Sequence, residues 1–410
     1  MSSLWLETSP PFGASRPLPP RTDIAILGGG IAGIATALHL ARRGEVHVTV
    51  LEAGTVASRA SGRNDGQLLL GLGEHYHRIH GQFGAQQAQQ LWAFLRDNHA
   101  ALRTAIAEHG IACDLQPAGG LRLAETPHEW TELQEAARLL AAEAIPHALV
   151  PAAELGHWLP AGRGFHGALR LPGEAIVQPV AMVRGLATAA AQHGAHIVER
   201  AAVAAIDGEA GDFVVQLADG RRLPASIVVH CTSTLARELD RSGLLTANVF
   251  PFRGQIIASN PLPATTLAQF PPYAMSSNFC YEYFRVQGDR FVIGGKRWSV
   301  PGEELGILDD SSQHPQVTTN LLAYVHHHFP VLQPAAFPHV WTGIMAGTPD
   351  GLPLVGALPG RPGTFVLGAF NGYGLSFAFL AGRCLAELLL DGHCPHPALP
   401  LFAPRRCRPA

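Results

Sequence analysis

Thr22-Asp23-Ile24-Ala25-Ile26-Leu27-Gly28-Gly29-Gly30-Ile31-Ala32-Gly33 opens a stretch that closes at Val48-Thr49-Val50-Leu51-Glu52-Ala53. Thr22–Leu27 is a short β-rich run. Ile31–Arg43 has helical composition and stops at Gly44, and Val46, Val48 and Val50 then alternate as a second strand ending at Glu52. This order predicts a βαβ unit of about 30 residues with a G-x-G-x-x-G turn at its first junction. Gly28 permits the tight turn, Gly30 lets the backbone approach a pyrophosphate, and Gly33 lets the helix pack close to the strand. The first helical N–H groups, at Ile31 and Ala32, offer free donors and a partial positive charge to phosphate. Glu52, with Ala53 beyond it, lies 22 residues after Gly30 and suits ribose hydroxyls. The pattern specifies a dinucleotide and leaves its identity open.

The remaining chain narrows the field. With 410 residues it has room for two domains, and a hydrophobic fraction of 47% is ordinary for a globular protein. A net charge of −3 without a block of Lys or Arg argues against nucleic acid or an anionic membrane as partner. The six cysteines include no C-x-x-C pair, which suits a reducing cytoplasm and argues against a zinc ribbon or a disulfide framework. Residues 1–22 are rich in proline, lack an apolar signal-type core, and read as an extended surface arm. No apolar run reaches the roughly 20 residues needed to span a bilayer. The longest, Leu375–Leu390, carries Arg383 and Glu387 and suits a buried helix. His75, His77 and His326–His328 match no metal-ligand spacing; they read as solvated surface, and no metal is expected.

Several segments together carry a family resemblance. Asp23–Gly30 resembles the opening of the D-amino-acid-oxidase-like FAD oxidoreductases. Ala60-Ser61-Gly62-Arg63-Asn64-Asp65-Gly66-Gln67 is similar to the "GASGRNGGQ" stretch of the subgroup that includes the γ-glutamylputrescine oxidases. Trp341-Thr342-Gly343 with Thr348-Pro349-Asp350-Gly351-Leu352-Pro353 resembles the family's "WTG…T-D-G-L-P" stretch, and Phe370-Asn371-Gly372-Tyr373-Gly374 its "GFNGHG" motif. The resemblance implies an α/β fold: a Rossmann-like FAD-binding domain interleaved with an α+β substrate domain built on an antiparallel sheet. The FAD domain would take residues 1–83, 151–246 and 339–410, and the substrate domain 84–150 and 247–338. Within the first, Ala195–Ile206 reads as a strand and Ile227–Thr232 as the strand that returns to the nucleotide. The resemblance implies FAD contacts at Ser61, Asn64, Val203, Thr232 and Gly343; Arg63, in the loop that would pass near the flavin, has phosphate, the flavin edge, an acidic substrate or a salt bridge to Asp65 as its candidate partners. His230-Cys231-Thr232-Ser233 departs from the small-residue turn usual at that place.

Asn371-Gly372-Tyr373-Gly374, followed by Leu375 and Ser376, forms a flexible turn into a helix N-terminus. Aimed at a flavin, that terminus would stabilise the negative charge of the reduced ring by about 0.3–1 kcal/mol, and by more when buried. The flavin is expected to be noncovalent, because the family's attachment cysteine is matched by Gly343 and Ser58–Gln67 contains no histidine.

Tyr281–Val286 and Phe291–Trp298 read as a hairpin around Gly288-Asp289. Its register would set Tyr281 opposite Lys296 and Tyr283 opposite Gly294, gathering Tyr281, Tyr283, Arg285 and Lys296 on one face, with Trp341 nearby. By resemblance, Tyr281 and Lys296 fall on substrate-site positions of the sarcosine oxidases. Two of those enzymes' lysines are matched here by Ser376 and Val292, so a sarcosine-type carboxylate clamp is not expected. The implied reaction is oxidation of a C–N bond in an amine or amino acid, with oxygen or another acceptor taking the electrons. Lys296 would repel the ammonium form of the substrate. The competing readings are an electron-relay subunit, an enzyme acting on a nucleic-acid-borne amine, and an NAD-linked dehydrogenase.

Overall fold

Ile24–Leu27 and Val48–Leu51 are apolar runs buried on both faces, as central parallel strands must be. In the computed structural model, which describes residues 2–407, they lie at the centre of an eight-stranded sheet. Its main path runs Leu354–Ala357, Thr364–Gly368, Arg222–His230, Thr22–Leu27, Val48–Leu51, His196–Val198. All these pairings are parallel except the first. Helix Ile31–Arg43 packs against Pro179–Gln192 and Gly374–Asp391. A meander, Val203–Glu209 and Asp212–Leu217, extends antiparallel from Arg222–His230 and closes a small core over Leu27, Leu51, Ile206 and Phe213. The expected strand Ala195–Ile206 is broken at Arg200, where φ is 54°. The N–H groups of Arg200 and Ala201 donate to Gly54 O and Glu52 O, which bends the chain around the end of the second strand.

The second sheet also has eight strands: His339–Gly347, Phe250–Ala258, Arg290–Gly294, Glu282–Gln287, Ala274–Ser277, Gly120–Leu123, Gly167–Leu171 and Ala148–Pro151. It is antiparallel except where Ala274–Ser277 pairs parallel with Gly120–Leu123. These two strands come from widely separated segments, so no hairpin dictates their direction. The sheet also takes in Gly167–Leu171 and His339–Gly347, which the expected boundaries grouped with the nucleotide half. Conversely, helix Ala85–Glu108 packs on Gly374–Asp391 and shares the larger core through Leu91, Leu95 and Leu102. Asn98 fixes that contact, donating to Leu375 O at 3.1 Å and accepting from Leu380 N at 2.9 Å.

The N-terminal arm is not simply extended. Leu4–Thr8 is a short helix capped by Ser3, and Ser3 and Trp5 are fully buried. His75 and His328 are buried rather than solvated: His75 lies against Phe279, and His328 stacks on Phe165.

Burial also gives the fold an acid sensitivity. It pushes His99 and His230 down to about 4 from the ordinary value near 6.5. Between these values the unfolded chain binds protons that the folded chain refuses, so the contribution of these two histidines is full above pH ~6.5 and is lost as pH drops toward 4. Each histidine contributes up to ~3 kcal/mol to this loss. Thermal melts should therefore fall steeply between about pH 7 and about pH 4.5, and His230→Leu should flatten the slope.

Candidate active site

Residues 58–66, following the second strand, form an irregular loop, and its shape is imposed from outside. Ala60–Gly62 is a single 3₁₀ turn. Asn64 braces it, its side chain donating to Ala60 O and Ser61 O and accepting from Gly66 N. Five successive carbonyls, Gly62 to Gly66, then take hydrogen bonds from distant side chains: Ser3 Oγ, Trp341 Nε1, Trp5 Nε1, and Arg285 for the last two. The Trp5 and Trp341 rings meet edge-on with centroids 6.1 Å apart, and the Arg285 guanidinium lies over Trp5. Gly66 has φ +72°, and a Cβ there would lie 2.2 Å from Val177 O and 2.7 Å from Arg285 Nη1, so only glycine lets the arginine in.

The other side of the loop faces a cavity of about 340 Å³ between the two sheets. Two helix N-termini open onto it. One is the start of Ile31–Arg43, where Ile31 N donates to Ser61 Oγ at 2.9 Å and Gly30 and Ala32 line the wall. Gly33 sets the approach of that helix: a Cβ there would lie 2.0 Å from Gly28 O. The other is the start of Gly374–Asp391, whose end has no side-chain cap; Asn371, Gly372, Tyr373, Gly374, Leu375 and Ser376 line the wall around it. Gly343 also lines the cavity, beside the Arg63 Cβ.

Of the residues expected at a nucleotide, Gly28, Gly33, Glu52, Ala53, Val203 and Thr232 do not line this cavity. Glu52 holds the glycine loop itself, its carboxylate oxygens accepting from Gly29 N at 2.7 Å and Gly54 N at 2.8 Å. Burial pushes its carboxyl upward against the pull of those bonds. Thr232 Oγ1 is buried without a partner among the described residues. Val203 packs on the small core under the sheet, and Ala53 is exposed. Arg63 is spent on structure: it donates to Ser58 O, Asp310 O and Thr342 O and pairs with Asp310 rather than Asp65.

The substrate-side expectations need correction. The hairpin pairs Tyr283 with Gly294, Arg285 with Val292 and Val286 with Phe291, as the two-residue turn requires. The pairing does not reach Tyr281 and Lys296, because Cys280 (φ 65°), Gly295 (φ 125°) and Lys296 (φ 57°) leave the extended region. Lys296 therefore swings away from the cavity to Glu282, 3.3 Å distant, and lies over the Trp298 and Tyr324 rings. Arg297 takes its place in the cavity wall, over Phe252 and Tyr281. Arg285 and Trp341 are fully buried clamps of the loop and do not line the cavity. Tyr281 and Tyr283 do line it. Tyr283 lies so close over Gly294 that a Cβ there would be 2.2 Å from its ring. Burial raises the Tyr283 hydroxyl, which stays protonated at neutral pH.

The sequence reading missed Cys231, Ser233, Phe252, Met345, Asp65 and Gln67, all in the wall. Asp65 and Gln67 were visible as polar residues two apart in the quoted loop. The others carried no local signal.

A cavity joining a dinucleotide turn to a second helix N-terminus is the arrangement of a flavoprotein. The comparison with family models agrees. The DAO model, "FAD dependent oxidoreductase", matches residues 23–388, and the chain belongs to this family. It is 27% identical over 382 residues to the gamma-glutamylputrescine oxidoreductase of Escherichia coli K12, covering 90% of this chain and 83% of that one. It is 28% identical over 380 residues to the glycine oxidase of Geobacillus kaustophilus, covering 90% and 93%. The crystal structure of a glycine oxidase from Geobacillus kaustophilus superposes with a TM-score of 0.80 at 25% identity, covering 94% of this chain and 98% of that one. The cofactor is accordingly FAD.

The clamp makes a stability prediction. Arg285 is fully buried, and burial lowers it to about 10. Arg285→Met strands the carbonyls of Asp65, Gly66 and Val177, a loss of about 3–5 kcal/mol. The melting temperature and the flavin-to-protein ratio should fall together. Arg285→Lys should recover only part of both, because lysine lacks the guanidinium fork.

Proposed function

We propose that this protein uses noncovalent FAD to oxidise a C–N bond in a small amine or amino acid, giving an imine that water hydrolyses to a carbonyl compound. The observation that carries the reading is the single cavity whose walls hold two helix N-termini at one side and Tyr281, Tyr283, Phe252 and Arg297 at the other. The names of the relatives, gamma-glutamylputrescine oxidoreductase and glycine oxidase, supply the substrate class. When bound, FAD supplies a two-electron acceptor for the hydrogen on the carbon beside the nitrogen.

The chain's own residues supply placement. Gly28, Gly30 and Gly33 shape the turn for the pyrophosphate, with Ile31 and Ala32 at the helix end facing it. Glu52 braces that turn through Gly29 N and Gly54 N. Asn371–Gly374, Leu375 and Ser376 present the second helix N-terminus, whose partial positive charge favours the reduced cofactor. Ser376 is held in place, its hydroxyl accepting from Leu69 N at 2.9 Å. Phe252, Tyr283 and Met345 exclude water from the reacting carbon, and a dry wall favours the neutral amine.

No helix among the described residues is long and apolar enough to cross a membrane. All six cysteines are free, and we place the enzyme in the cytoplasm with that chemistry.

Anaerobic titration with a panel of amines, polyamine conjugates and amino acids should bleach the flavin with at least one of them. If none does, the reading is wrong. Admitting air then separates an oxidase, which regains colour at once, from a dehydrogenase, which needs another acceptor. Acid precipitation should leave a colourless pellet, since the flavin is not covalently bound. Because Lys296 faces Glu282 rather than the cavity, Lys296→Met should leave the pH profile of bleaching unchanged.

A further inference from the structure

Four charged side chains line the cavity wall: Arg63, Asp65, Glu74 and Arg297. Arg63 is paired with Asp310, Glu74 with Arg78 at 3.2 Å, and Arg297 with Glu303 at 3.4 Å. Asp65 is in no ion pair within 4.0 Å among the described residues; its carboxylate accepts from Gln67 N at 3.4 Å. We propose that Asp65 receives the reacting nitrogen of the substrate as an ammonium ion and takes the proton it must lose. This rests on the amine-oxidising reading above.

Three observations support it. The clamp fixes the backbone that carries the side chain, because the Asp65 carbonyl and its neighbours on both sides are tied to Trp5, Trp341 and Arg285, and Asp65 lines the cavity wall. The surroundings suit a cation. Gln67 Nε2 donates to Met275 O and Phe284 O and also stabilises the Asp65 carboxylate, while its Oε1 is a buried acceptor without a partner among the described residues. The Tyr283 and Tyr373 rings line the same wall. Finally, the carboxylate is held here at a cost. Burial works against the charge, pushing Asp65 up to about 6, and the pull of Arg285 offsets this only in part.

The proton step is balanced within the pair. The ammonium N–H bond breaks, an O–H bond forms on Asp65, and a neutral amine faces a neutral acid with no change of redox state. Free amines have reference values near that of lysine, about 10.4, so the transfer depends on the dry cavity disfavouring the separated charges. The groups facing Asp65 are Arg285 and Tyr283 from the hairpin, Tyr373 from the glycine turn, and Gln67 from its own segment. Ionisation of Asp65 itself should therefore govern binding near pH 6.

The test uses FAD-loaded wild type, Asp65→Asn, Asp65→Gly and Asp65→Glu. Tetramethylammonium, which has no proton to give, is titrated by calorimetry across pH, and the best amine of the panel is followed by anaerobic bleaching. Wild type should bind tetramethylammonium more tightly as pH rises through about 6. Asp65→Asn should weaken that binding about tenfold and remove its pH dependence. The same variant should slow bleaching about a hundredfold. Asp65→Glu should recover part of both. If Asp65→Asn does not retain FAD, Asp65→Gly, which installs the glycine of the similar stretch, gives the same readout. Variants that bind tetramethylammonium and bleach with the wild-type pH profile overturn the assignment. In that case bleaching of the wild type by an amine shows that the broader reading stands without it, whereas wild type that no amine bleaches shows that the broader reading itself has failed.

Discussion

The loop from Gly62 to Gly66 turns its carbonyls toward the protein and its side chains toward the cavity, and everything the site can do depends on that orientation. Left alone, five outward carbonyls in a glycine-containing segment would take many shapes. Here Ser3, Trp5, Arg285 and Trp341 fix one shape, and they come from the N-terminal arm, the hairpin of the second sheet and that sheet's edge strand. Removing any donor leaves a buried carbonyl without a partner, which costs more than the bond itself contributes. The arm at residues 3–8 is thus a structural member of the active site although it touches no part of the cavity.

This explains why some features were legible in the sequence and others were not. The βαβ unit was legible because its signals are local: a period of two, then helical composition, then a glycine at each place where a side chain would collide. The helix Ile31–Arg43 has the expected limits. The second glycine turn was legible for the same reason. Arg285 and Trp341 were conspicuous, but the sequence could not show which way they point. A large polar side chain on a strand beside a site can face the cavity or the loop behind it, and only the packing of three distant segments decides.

The expected pairing of Tyr281 with Lys296 is absent for a different reason. A hairpin register holds only while both strands stay extended, and Tyr281 lies one residue, Lys296 two residues, past the place where they do. Gly295 and Lys296 take positive φ, so the alternation of faces is lost and the adjacent Arg297 enters the cavity instead. Strand endings set by single left-handed residues leave no mark in hydrophobic periodicity. Elsewhere, Gly167–Leu171 and His339–Gly347 complete the second sheet from segments whose neighbours in sequence belong to the first.

The two sides of the cavity also differ in how their charge is managed. On the glycine-loop side, Glu52 uses both oxygens on backbone N–H groups, which offset part of the cost of its burial, and the N-terminus of Ile31–Arg43 opens onto the cavity. On the loop side, Arg63 and Arg285 spend their guanidinium groups on backbone carbonyls and, for Arg63, on Asp310. Both cations are consumed by architecture. An unpaired carboxylate next to them is then not the discarded half of a broken ion pair. It is a separate charge, kept in a dry wall against its desolvation cost, with a buried amide oxygen and two aromatic rings around it. In a cavity that must hold an amine, that arrangement offers the nitrogen a carboxylate carried on an anchored loop backbone.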